Sequence, residues 1–145
     1  MLCKVSNCDR KSKVRGMCMR HYNQVRLYGK IFRSTLADPS IIIQHGNVCK
    51  IELCHRNGEM AAEAIINKSD YELVSGYRWF LSGGGYVGGY INGNPVRLHR
   101  LIANTPYGFT CHHKNENPLD NRRKNLFNCS RSMHISMHNR LRRIF

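Results

Sequence analysis

Apolar and polar positions alternate most clearly in the middle of this chain. Cys49, Ile51 and Leu53 interleave with Val48, Lys50 and Glu52, the period of a half-buried strand. Asn57-Gly58 is a hairpin signal. Residues 60–66 follow as a second strand, although their alanines leave a helix possible. Ser69-Asp70 is placed to cap a helical turn over residues 71–74. Residues 77–81 and 86–91 read as strands around Gly83-Gly84-Gly85, and a turn at Asn92-Gly93-Asn94-Pro95 leads into residues 96–98. Ahead of this block, residues 36–47 read as a linker with one short apolar patch at Ile41, Ile42 and Ile43.

The two ends have different patterns. Residues 99–104 suit a short helix, 109–113 a strand, 115–120 a polar loop and 126–129 a second strand. Ser130 is placed to cap a final helix running from Arg131 towards Arg143. The order is strand, loop, strand, helix. At the other end, residues 1–35 read as a compact knuckle followed by a helix over 19–27. Gly16 stands where a tight turn before Cys18 needs it, and Gly29 where the helix should stop. The expectation is an α+β chain of three modules: a small knuckle (1–35), a β-rich centre (36–95) and a C-terminal unit (96–145).

Charge sharpens this division. The net charge is +14, and it sits at the ends. Residues 1–35 hold nine Lys/Arg against one Asp, 36–95 four against six Asp/Glu, and 96–145 ten against two. Two basic ends suggest an anionic partner, nucleic acid ahead of a membrane surface. A hydrophobic content of 41% argues against a disordered basic tail. The polar, basic N-terminus is unlike a signal peptide, and no run of about 18 apolar residues predicts a membrane span. Seven cysteines, an odd number, fit a disulfide framework poorly. A reducing intracellular compartment and metal binding fit better.

The metal has candidate ligands. Cys3, Cys8, Cys18 and His21 form C-x4-C-x9-C-x2-H. Three thiolates and an imidazole complete a tetrahedral structural zinc shell with no open position. The alternative is three cysteines buried by chance beside a surface histidine, but so small a segment could not fold without a staple. The C-terminal unit carries His112, His113, Asn125, His134 and His138. His134 and His138 are four apart, hence on one face of a helix. A histidine pair at a strand end can meet that face. Three imidazoles then hold a divalent metal with a position open, and the fourth is left as a general base. His99 reads as a packed histidine, and Cys111 and Cys129 as core. Cys49 and Cys54 are five apart, on opposite faces of a strand, and do not suggest a second zinc site. Trp79, Tyr86 and Tyr90 read as sheet packing rather than base stacking.

Residues 111–126, Cys-His-His-Lys-Asn-Glu-Asn-Pro-Leu-Asp-Asn-Arg-Arg-Lys-Asn-Leu, closely resemble the core of HNH (ββα-metal) endonucleases from phages and mobile introns. Those often read Asp-His-x-Asn-Gly-Asn-x-x-Asp-Asn-Arg-x-x-Asn-Leu. Residues 68–79 and 96–104 resemble the region preceding that motif. The knuckle, with Arg15-Gly16-Met17-Cys18 and His21-Tyr22, resembles zinc knuckles of phage HNH proteins.

The resemblance implies that His113 is the general base, that Asn125 braces the loop between the strands, and that His134 is a metal ligand. His112 departs from the intron-type aspartate. With His138 it is more similar to the colicin DNases, where adjacent histidines and an H-x3-H pair build the site. Imidazoles favour zinc or nickel, with manganese and magnesium as the other candidates for the catalytic ion. The implied activity is hydrolysis of duplex DNA to 5'-phosphate and 3'-hydroxyl ends, one nick per monomer, by a monomer or homodimer in bacterial or phage-infected cytoplasm. Arg15, Arg20, Arg122, Arg123, Lys124, Arg131, Arg140, Arg142 and Arg143 are the expected phosphate contacts. The rival reading is a zinc-stabilised DNA-binding protein without nuclease activity. His113 and Asn125 weigh against it, because binding alone needs neither.

Overall fold

The structure is a computed structural model that describes residues 1–5, 8–32, 38–55 and 58–142, except the side chains of 141 and 142. It is mixed α+β and divides into two compact units, Met1–Arg33 and Ser34–Phe145.

In the first unit Val14 pairs with Met17 across Arg15 and Gly16, whose φ angles are 49° and 76°. Left-handed backbone at both central residues is a type I′ turn, so Gly16 does what its position predicts. Helix α1 (Met19–Tyr28) starts directly after Cys18. It ends at Gly29, φ 70°, whose N–H reaches the Val25 carbonyl. The buried apolar cluster is only Cys3, Met17 and Cys18, which is too thin to hold the unit alone.

The second unit begins with an antiparallel sheet, β1 (Ile42–His45), β2 (Val48–Cys54) and β3 (Met60–Asn67). The predicted linker therefore contains a strand. Its apolar patch is too short to show a period, but Ile42 and Ile43 find the open edge of β2 opposite Ile51 and Lys50. The ambiguity at residues 60–66 resolves as strand, with Ala64 buried opposite Ile51. Asn57 of the predicted hairpin lies outside the described residues. Helix α2 (Tyr71–Val74) follows a 3-10 turn, Lys68–Asp70.

A second sheet holds β4 (Trp79–Leu81), β5 (Val87–Ile91) and β6 (Asn94–Arg97). The β5–β6 turn is Asn92-Gly93, with φ angles of 50° and 80°. Helix α3 (Leu98–Ile102) leads to the antiparallel pair β7 (Phe109–His113) and β8 (Leu126–Ser130), against which α4 (Arg131–Arg142) packs. Ser130 caps α4 as its sequence predicts: its Oγ accepts the Met133 N–H at 3.2 Å.

One core runs through this whole unit. Ile51, Leu53 and Ile66 of the first sheet share it with Trp79, Leu98 and Leu126. The boundary expected between residues 95 and 96 falls inside that core. The loop after β7 is also stitched to β3: Ile65 N–H donates to Leu119 O and Asn121 N–H to Ile65 O, both at 2.8 Å. Asp70 stands at the N-cap of α2, as Ser69-Asp70 suggested, but its side chain makes no cap hydrogen bond. Its carboxylate is buried and accepts Arg123 Nη2 at 2.6 Å and Nε at 2.9 Å. A charge-assisted bidentate pair outcompetes a backbone N–H for a buried carboxylate.

Trp79 is fully buried, as predicted for a packing residue, and its Nε1 donates to Val74 O at 2.9 Å. Gly89 lies under its ring. A Cβ there would stand 2.7 Å from the indole and 3.0 Å from Arg78 O. Overpacking of this kind typically costs about 1–3 kcal/mol. Gly89→Ala should lower the unfolding free energy of the second unit by that amount in urea titrations; an unchanged midpoint would show that the indole is free to shift.

Candidate metal centres

Cys3, Cys8, Cys18 and His21 converge, with ligand atoms within 4.8 Å of one another. Cys3 Sγ lies 3.3 Å and Cys18 Sγ 3.5 Å from His21 Nδ1, and Cys8 Sγ is 4.0 Å from Cys18 Sγ. Bonds of about 2.3 Å to a tetrahedral zinc put sulfurs about 3.8 Å apart, so the spacing fits an ion at the centre. The type I′ turn brings Cys18 back to Cys3, and the first turn of α1 presents His21. Burial raises the Cys3 thiol pKa, but hydrogen bonds from His21 and the Cys18 N–H outweigh it and bring it to about 6. For Cys8 the Arg10 backbone hydrogen bond lowers the value. Burial and the thiols of Cys3 and Cys18 outweigh that and raise it. Three thiols this close cannot all ionise without a cation among them.

The second cluster is His112, His134 and His138, again within 4.8 Å. His134 and His138 share a face of α4 and approach Nε2 to Nε2 at 3.2 Å. Two nitrogens on one tetrahedral zinc lie about 3.3 Å apart. The His112 ring centre is 5.3 Å from that of His134 and 5.2 Å from that of His138. Burial lowers the pKa of His112, and repulsion from His134 and His138 adds to it; His134 is lowered by burial and by His138. The neutral form of these rings, the one that ligates metal, is the favoured one.

His113 follows His112 on β7, so its ring leaves the opposite face of the strand. It packs against Tyr86 and His99, with ring centres 5.9 and 5.0 Å away. Its Nε2 is 3.2 Å from Asn121 Oδ1. Asn121 Nδ2 donates to Pro118 O, which fixes the amide so that its oxygen faces the histidine. A carbonyl oxygen only accepts, so neutral His113 carries its proton on Nε2 and its lone pair on Nδ1. Burial lowers its pKa, against the raising influence of Asn121 and Asp120. Both strand-end histidines open onto one cavity of about 140 Å³, also lined by Tyr86, Glu116, His134 and His138. Two larger hollows, one between Cys54, Ala61 and Phe80 and one over Gly88, Gly89 and Arg97, hold at most one histidine each.

Asn125 fastens the loop that follows β7. Its Oδ1 accepts the Asn115 N–H at 3.0 Å, and its Nδ2 donates to Asn115 Oδ1 and Asp120 O at 2.9 and 2.8 Å. Asp120 is itself buried and accepts Arg122 Nη2 at 2.7 Å, Nε at 2.8 Å and Asn115 Nδ2 at 2.9 Å. Its pKa is lowered chiefly by the Arg122 hydrogen bonds.

Two of the expected phosphate contacts thus have partners within the chain, Arg122 on Asp120 and Arg123 on Asp70. Arg15, Lys124, Arg131 and Arg140 are exposed, and Arg20 is half-buried. The side chain of Arg142, and Arg143 altogether, lie outside the described residues. Tyr86 and Tyr90, expected as packing, are 39% and 59% exposed. The short glycine-rich turn before β5 leaves Tyr86 at the mouth of the histidine cavity rather than beneath the sheet. Sequence reasoning passed over Asn121, although it stands in the Asp-Asn-Arg of the motif. It also passed over Glu116, and read His99 only as packing. No pattern in the chain signals Tyr86 or Glu116. Comparison with protein-family models, with curated proteins and with solved structures finds no match. No described helix is long and apolar enough to cross a membrane.

Two predictions follow from this geometry. A strong chelator should collapse the NMR dispersion of residues 1–32 while the core signals of the second unit persist; a knuckle that keeps its dispersion without metal would mean the cluster is not its staple. The second concerns His99, which burial first and His113 second bring from 6.5 down to about 4. Its folded pKa lies below its unfolded one, so its stabilisation is complete above pH 6.5 and is lost as pH falls towards 4. The loss is about 3 kcal/mol. His99→Phe should flatten that part of the pH–stability curve of the metal-free histidine site.

Proposed function

We propose that this protein is a metal-dependent DNA endonuclease of the HNH, ββα-metal type, hydrolysing a phosphodiester bond of duplex DNA. One observation carries the reading: two adjacent histidines at one strand end both line one cavity. His112 joins the His134–His138 pair, and His113 lines the same cavity with its Nε2 held by Asn121. The motif resemblance and the two basic ends support the same reading.

The three imidazoles suit zinc or nickel better than magnesium. Bound there, a divalent ion would neutralise charge on the phosphate and stabilise the leaving oxygen. The chain's own residues supply the rest. His113 Nδ1 takes the proton from the attacking water, while Asn121 holds the ring by its other nitrogen. Asn125 keeps the loop closed against the strand end. Exposed Lys124 and Arg131 hold the phosphate backbone.

His113→Ala should retain both metals and DNA affinity while cleavage of supercoiled plasmid falls by roughly 10²–10⁴-fold. His134→Ala should lose the second metal as well as cleavage. A base must be neutral, so the rate falls as pH drops through the His113 pKa. Because that value lies below its ordinary 6.5, so should the acid limb of the wild type. A wild-type protein that binds two metals and DNA but leaves plasmid intact with zinc, nickel, manganese and magnesium alike would be a DNA-binding protein instead.

A further inference from the structure

Glu116 adopts φ 59°, in the left-handed region that glycine and asparagine tolerate and a long side chain does not favour. The turn that imposes this is closed by the Glu116 N–H donating to His113 O at 3.0 Å. A glycine would satisfy that turn without strain. What a glycine lacks is the side chain, and here it lines the histidine cavity, the only carboxylate among the described residues that does. Glu116 Oε1 lies 4.0 Å from His138 Nδ1, within ion-pair range and longer than a hydrogen bond. The opposite nitrogen of the same ring, Nε2, is the one facing His134.

Resting on the second metal centre described above, we propose that Glu116 is a positioning residue for that centre. Its carboxylate, at ion-pair distance, attracts the Nδ1 edge of His138 and so orients the ring with Nε2 towards the ion, and the strained backbone is retained for that placement. A metal-bound imidazole whose other nitrogen faces a carboxylate is a more basic and better-oriented ligand. Local strain at a ligand site is the expected companion of such a role. Glu116 does not join the three histidines as a ligand, since no atom of it belongs to their 4.8 Å cluster. It acts through His138.

The test is nickel(II) titration of the full chain with zinc already in the knuckle, followed by calorimetry. Wild type should take one nickel per chain at the histidine site. Glu116→Gln should weaken that nickel about 10–100-fold. Glu116→Gly should weaken it as much while raising the melting temperature of the nickel-free protein, because the turn is relieved. Opposite signs for metal affinity and apo stability are what a merely structural residue would not produce. In the nickel-free chain loaded instead with zinc, the His138 Nδ1 proton should be visible by ¹⁵N-edited NMR and should exchange faster in both variants. Equal nickel affinity in wild type and Glu116→Gln overturns the role of Glu116 and leaves the centre standing. A wild-type chain that takes up no second metal overturns both.

Discussion

The loop between β7 and β8 has almost nothing apolar to hold it, so the histidine site depends on a buried polar network. Asn125 is its hub, bonded to Asn115 and to the backbone at Asp120. Asp120 ties the same loop to Arg122, and Leu119 and Asn121 pair with Ile65 of β3. Every member is satisfied by another, which is the condition under which a buried polar cluster rigidifies rather than destabilises. Truncating any one partner would leave a buried donor or acceptor unpaired, at about 1–3 kcal/mol. That cost keeps Asn121 under His113 and sets the turn on which Glu116 sits.

The same strand end separates two electrostatic environments. On one face His112 meets two other imidazoles, and burial first and their repulsion second lower its pKa, favouring the neutral ring that a cation would bind. On the other, His113 is enclosed by Tyr86, His99 and Asn121. Strand alternation performs this separation: neighbours in sequence point to opposite sides. The two histidines nevertheless reach one cavity, because it wraps the end of β7 where the sheet stops.

The two compact units are stabilised by different means. The second has a continuous core in which Trp79, Ile51 and Leu98 are fully buried. Among its described residues the first has a buried apolar cluster of three, two of them cysteines that also belong to its group of candidate metal ligands. The cysteine–histidine group of the first could hold an ion that staples it, whereas the core of the second is complete without one. The chain's cysteines divide accordingly: Cys49, Cys111 and Cys129 are buried in the second unit, and burial raises the pKa of all three, whereas Cys3 is held near neutrality.

Local patterns in the sequence were enough for the mixed α+β class, most strands and helices, and both groups of candidate metal ligands. Spacing of two, three or four residues on a turn or helix is a local geometric constraint, and so the Cys18–His21 and His134–His138 pairs were legible. So were the turns at Gly16 and Asn92-Gly93, where left-handed backbone admits few residue types. Tertiary structure alone decided the rest. Strand β1 exists because β2 offers it an edge. Asp70 and Arg123, 53 positions apart, pair with each other, a contact no local pattern announces. Tyr86, His99 and Asn121 surround His113 because sheet, helix and loop meet there. Such contacts carry no periodic trace in the chain, since each depends on which distant group offers the better partner once the core has closed.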